Sequence, residues 1–115
     1  MKLGYGSGSV DLELDDRYDI VLPDELPGVE NERCEIEWAL DNSVGCALAD
    51  FEGCKSASVI VSDITRPAPS YEMLPPLIDR LRDIGVSDIK IVFALGSHRR
   101  MTPEEEQKLI GDCIS

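Results

Sequence analysis

Two short segments gather the residue types in this chain that could do chemistry: Ser62-Asp63-Ile64-Thr65-Arg66-Pro67 and Gly96-Ser97-His98-Arg99-Arg100. Arg66 offers a rigid planar fork suited to a carboxylate or a phosphate. His98 is the chain's one histidine, and an imidazole exchanges a proton near neutral pH. Gly96 and Ser97 permit close backbone approach and offer donors. Asp63 could orient Arg66 or accept from a ligand hydroxyl, and Thr65 lies in the same loop. Plainer roles stand beside these. Arg66 could pair with Asp63, His98 could be a solvated loop histidine, and Arg99 and Arg100 could offset Glu104, Glu105 and Glu106. A Ser–His hydrolase is disfavoured, because adjacent Ser97 and His98 cannot easily face each other on one loop.

Each segment follows an apolar, β-rich run. Residues 57–62 and 89–95 read as short buried strands, covered on both faces as in parallel sheets. Between them Leu74, Leu77, Ile78, Leu81 and Ile84 recur at helical spacing and form one face. Pro75 and Pro76 are expected in that helix's first turn, where a missing N–H costs nothing, and Gly85 is a left-handed cap candidate. A strand–helix–strand connection of this length makes the strands parallel, so both segments leave the same sheet edge, where ligands of open α/β sheets bind. Thr102-Pro103-Glu104-Glu105 opens a further helix, with Thr102 and Glu105 forming a capping box, Leu109 and Ile110 facing the core, and Ile114 left without a role. Upstream, Val10, Leu12 and Leu14, then Tyr18, Ile20 and Leu22, alternate with polar residues and suggest an antiparallel hairpin. A helix is expected from about residue 31 to 41 and a short helical turn over 47–51, broken by Gly53. The expected fold class is α/β, a mainly parallel βαβ sheet with an N-terminal β-hairpin, in a single domain over 1–115.

The net charge of −12 is unevenly distributed. Residues 1–56 carry four Lys/Arg against fourteen Asp/Glu, and residues 57–115 carry seven against nine. A field this negative repels phosphate backbones and anionic membranes, so neither nucleic acid nor a membrane is expected as a partner. Cys34, Cys46, Cys54 and Cys113 match no zinc spacing. With no apolar leader near Lys2, they read as reduced thiols of a cytoplasmic protein. Gly4, Gly6 and Gly8 lack the strand and helix context of a dinucleotide fingerprint and read as a turn.

The ordered string of the Asp63-Ile64-Thr65-Arg66-Pro67 loop, Leu74-Pro75, a helix, Gly85-Val86, a strand, Gly96-Ser97-His98-Arg99 and Met101-Thr102-Pro103 resembles the N-terminal domain of the nickel-dependent lactate racemase family. The family's usual loops are Asp-X-Thr-Arg-Pro and Gly-Thr-His-Arg, and Ser97 stands here in place of that Thr. The resemblance implies racemisation or epimerisation of a small 2-hydroxy acid by reversible hydride transfer to a nickel-pincer nucleotide. It makes His98 one of a pair of proton-handling histidines and Arg66 an active-site residue near the substrate, with Asp63, Thr65, Gly96, Ser97 and Arg99 as substrate- or cofactor-binding candidates. The family's cofactor-attaching lysine, nickel-binding histidine and second catalytic histidine lie downstream of the Gly-Thr-His-Arg loop, and this chain has no position matching them. It is therefore expected to hold no metal itself, to be an inactive N-terminal portion, and to need the missing C-terminal part of the enzyme as its partner. A stand-alone module that binds a small carboxylate or phosphate through Arg66 and Arg99 is the alternative.

Overall fold

A computed structural model describes residues 1–15 and 17–112. Its elements are β1 (Lys2–Tyr5), β2 (Gly8–Asp11), α1 (Glu32–Asp41), a 3₁₀ turn (Leu48–Phe51), β3 (Ser56–Ser62), α2 (Ser70–Asp83), β4 (Asp88–Ala94) and α3 (Pro103–Ile110). β3 and β4 pair in parallel, from Ser56 opposite Asp88 to Ser62 opposite Ala94. α2 is the crossover between them. The fold is α/β with an N-terminal antiparallel hairpin, as the sequence predicts.

The core lies on one face of the β3–β4 pair. Val61, Leu74, Ile78, Met101 and Leu109 are buried together, and Val59, Ile89, Ile91 and Phe93 pack against them. Side chains alternate across a strand, and only one helical layer faces these two strands. Ile60 and Val92 point away from it and are 69% and 45% exposed. The expectation of strands covered on both faces is thus corrected: the run is apolar on both faces, but the described residues supply a cover for one.

α2 begins earlier than its periodicity suggests. The Pro69 carbonyl accepts from the amides of Glu72 and Met73 and starts the helix at Ser70, so Pro75 and Pro76 fall in its second turn. The carbonyls they leave without an intrahelical donor belong to Tyr71 and Glu72, both at exposed positions. The helix ends in a Schellman arrangement. Gly85 takes φ 93°, its amide donates to Arg82, and the Val86 amide donates to Leu81.

α1 is capped by Asn31, whose side-chain oxygen accepts from the Cys34 amide at 3.0 Å. It joins α2 through an Arg80–Asp41 ion pair of 2.8 Å. The hairpin lies nearer the start of the chain than the alternation predicts. β1 pairs with β2, Lys2 opposite Asp11 and Tyr5 opposite Gly8. Gly6, at φ 57°, occupies the first position of the two-residue turn, where a type II′ hairpin needs glycine. Residues 18–22 form no strand and are exposed: their alternation carries strand propensity, but no partner strand or apolar surface meets them. No helix of the described residues is long and apolar enough to cross a membrane. Cys34, Cys46 and Cys54 are free thiols; Cys113 and Ile114 lie outside the described residues.

Candidate functional site at the strand ends

Asp63 is the first residue beyond β3, and His98 lies four residues beyond the end of β4. The parallel register sets Ser62 beside Ala94, so both loops leave the sheet at one edge. In the first loop, the Asp63 carbonyl accepts from the Arg66 amide. The Asp63 carboxylate folds back on its own segment: Oδ1 accepts from the Thr65 amide at 2.9 Å and the Thr65 hydroxyl at 2.5 Å. In the second loop the His98 amide donates to the Leu95 carbonyl across a turn in which Gly96 takes φ 56°. A Cβ at Gly96 would meet no atom within 4 Å. The glycine is needed there for its conformation and not for space.

His98 Nδ1 and Asp63 Oδ2 form the bond that joins the two loops. Asp63 is almost wholly buried, at 3% exposure, while the His98 side chain is 42% exposed. The Thr65 hydroxyl and the His98 ring hold the Asp63 carboxyl down at about 2, against the opposing pull of burial. An ionised carboxylate only accepts hydrogen bonds, so the bonded proton must belong to Nδ1. In the neutral ring that leaves Nε2 as the basic nitrogen.

The loops are also stitched from beneath. Met101 is buried, and its sulfur accepts from the Ile64 amide at 3.3 Å. Arg99 lines the crevice with its guanidinium already engaged: it grips Glu105 with two bonds of 2.8 and 2.7 Å. Glu105 in turn accepts from the Thr102 amide, while the Thr102 hydroxyl accepts from the Glu105 amide. This is the capping box expected of α3. The Arg99 fork and the Thr102 amide hold the Glu105 carboxyl down at about 2. Arg66 forms no ion pair with Asp63 among the described residues.

Asp63, Thr65, His98 and Arg99 thus surround one small cleft of about 40 Å³, floored by Ile64 and Met101. That is room for about three waters. Arg66 lines a different and larger cleft. Gly96 and Ser97 shape the turn above His98 and line neither. The sequence brings Asp63 and His98 to one edge without pairing them, and it places Met101 in the ordered string after the second loop without giving it a role in the site. The signal for Met101 was a lone apolar residue between a polar loop and a helix cap. A larger cleft, about 420 Å³, lies away from both loops, between α1 and α2.

The chain resembles known proteins along nearly its whole length. A family model, the lactate racemase N-terminal domain, matches residues 5–115. The lactate racemase of Thermoanaerobacterium thermosaccharolyticum is 33% identical over 99% of this chain and 28% of its own length. That of Lactiplantibacillus plantarum is 32% identical over 97% of the chain and 28% of its own. The solved structure of the lactate racemase apoprotein from T. thermosaccharolyticum superposes with a TM-score of 0.78 at 33% identity, covering 96% of this chain and 27% of that one. The chain spans little more than a quarter of the length of these relatives.

Proposed function

Because the chain belongs to the lactate racemase N-terminal domain family, we propose that it supplies one acid/base wall of an enzyme that inverts a 2-hydroxy acid. The observation that carries this reading is the Asp63–His98 pair at the ends of two parallel strands. Inversion at the hydroxyl-bearing carbon by loss and return of hydride requires the hydroxyl proton to leave and come back. His98 Nε2 takes that proton and returns it. Asp63, buried and ionised, fixes the ring and stabilises the imidazolium that forms, and Thr65 keeps the carboxylate aimed at the ring. Arg66 holds the substrate carboxylate, an interaction favoured by its two-pronged geometry. Gly96 and Ser97 set the backbone that presents His98, and Arg99, held by Glu105, anchors that loop to α3.

The family's nickel-pincer nucleotide is implied by resemblance alone. Nickel finds no donor set here: among the described residues no three His, Cys, Asp or Glu side chains converge, and His98 is the chain's one histidine. We therefore assign hydride acceptance to the parts of the longer relatives that this chain does not span. Incubating the 115-residue chain with D- or L-lactate and the cofactor, followed by chiral chromatography, should give no interconversion. Turnover by the chain alone would overturn the half-site reading. In nitrogen NMR of the same chain, the His98 ring should carry its neutral-form proton on Nδ1 and lose that bias in Asp63→Asn. A ring protonated on Nε2 in the wild-type chain would remove the basis of the proposed base.

A further inference from the structure

Two clefts of this acidic chain differ in sign. The one between α1 and α2 is rimmed by Glu32, Glu35 and Glu72 and lined by no cation. The other, about 340 Å³, opens between the Asp63 loop, α2 and α3, and is lined by Ile64, Arg66, Ala68, Tyr71, Lys108 and Leu109. It carries two positive charges, a phenol and no carboxylate. Asp and Glu outnumber Lys and Arg by 23 to 11 in this chain, and Arg17, Arg33, Arg80, Lys90 and Arg99 each hold a carboxylate. Arg66 and Lys108, like Lys2, Lys55, Arg82 and Arg100, enter no ion pair among the described residues, and of these six they are the two that line this cleft.

The walls of this cleft are built closely. Leu109 is buried beneath it, with Ile64 and Ala68 half-buried. The end of α3 reaches the start of α2 through Gly111, at φ 63°, where a Cβ would stand 3.3 Å from the Tyr71 Cβ. Glycine there lets the two helices approach and bring Lys108 and Tyr71 to the cleft that Arg66 lines.

The geometry points to this cleft as a binding site for a small oxyanion carried on an apolar body, with Lys108 and Tyr71 acting beside Arg66. Two cations in no ion pair among the described residues favour a carboxylate or a phosphate monoester. The apolar floor favours a ligand with a nonpolar portion. The inference deepens the role given to Arg66 and rests on that part of the proposed function alone; it makes no use of His98.

Amide NMR titrations of the 115-residue chain with lactate, inorganic phosphate and phenyl phosphate test it. Shifts should centre on Ala68, Tyr71, Lys108 and Leu109, with phenyl phosphate binding more tightly than inorganic phosphate. Lys108→Gln should weaken binding about tenfold, and raised salt should weaken it further. Lys90→Gln, on the opposite face of the sheet, should leave binding unchanged. A stronger response to lactate identifies the oxyanion as a carboxylate, and a stronger response to the phosphates identifies it as a phosphoryl group; either outcome supports the site. No shifts with any probe, shifts confined to Gly96–Arg99, or a Lys108→Gln variant that is folded by circular dichroism yet binds as wild type would each overturn it. Lactate turnover and the His98 tautomer are read separately, so failure of the racemase reading is distinguishable from failure of this one.

Discussion

The Asp63 carboxylate accepts three bonds, from the Thr65 amide, the Thr65 hydroxyl and the His98 ring. A buried carboxylate is tolerable because it is so fully engaged. Its linkage to pH follows. A carboxyl held at about 2 in the folded chain, against an unfolded value of about 3.9, binds fewer protons folded than unfolded between those values. It contributes stability that is complete above about pH 4 and is lost as pH falls toward 2. Glu105, also held at about 2, acts in the same direction. Acid titration followed by circular dichroism should therefore show a steep loss of stability between pH 4 and 2. Asp63→Asn should flatten that slope while lowering stability at neutral pH. Met101 makes a different prediction at this scale. Met101→Ala removes a buried side chain and the acceptor of the Ile64 amide, and should cost about 2–5 kcal/mol in urea unfolding. Met101→Leu restores the volume but not the acceptor, and should recover most of that loss.

The elements that position the site were legible where their signals are local. The capping box of α3 and the Gly85 stop of α2 are each written in a few adjacent residues, and each stands where the sequence places it. Thr102→Ala removes the hydroxyl that accepts from the Glu105 amide and should cost about 1 kcal/mol of stability by denaturant titration, while the Glu105 carboxylate keeps its bonds to the residue-102 amide and to Arg99. Gly96→Ala, forced to φ 56° with a Cβ, should cost about 1–2 kcal/mol and displace the His98 ring signals. What depends on distant partners was less legible. The alternation over residues 10–22 marks residues that would suit a strand, but pairing depends on which strand lies opposite, and the Gly6 turn joins Lys2–Tyr5 to Gly8–Asp11 instead. The second-turn prolines of α2 were misplaced because the helix start depends on the carbonyl of Pro69, outside the apolar pattern. In the site, shared topology predicted that the two loops meet. The choice of His98 over Arg66 as the partner of Asp63 depends on side-chain directions that spacing does not encode.

At the scale of the whole molecule, the chain is long and unevenly covered, with extents of 63 × 33 × 23 Å. Every described residue from 1 to 30 is exposed, and none between Leu12 and Glu30 lies in a strand or helix. Limited proteolysis should cut first within residues 12–30 and leave a resistant core from about residue 32 onward; an earlier cut within β3 or α2 would contradict this packing. Ile60 and Val92 present an apolar patch on the bare face of the sheet. Ile60→Ser with Val92→Thr should reduce dye binding and self-association with little change in unfolding midpoint, since neither side chain is buried.

Among the described residues the β3–β4 sheet has two strands, and each bonds along one side. In an extended strand, successive amides point to opposite sides, so half of those in β3 and β4 face the partner and half face outward. Deuterium uptake should therefore alternate residue by residue along Ser56–Ser62 and Asp88–Ala94: slow where the amide meets the neighbouring strand, fast where it meets water. The same outward row of donors and acceptors is a template onto which a further extended segment can be zipped. Loss of that alternation on mixing with another polypeptide would report, strand by strand, which edge had been taken.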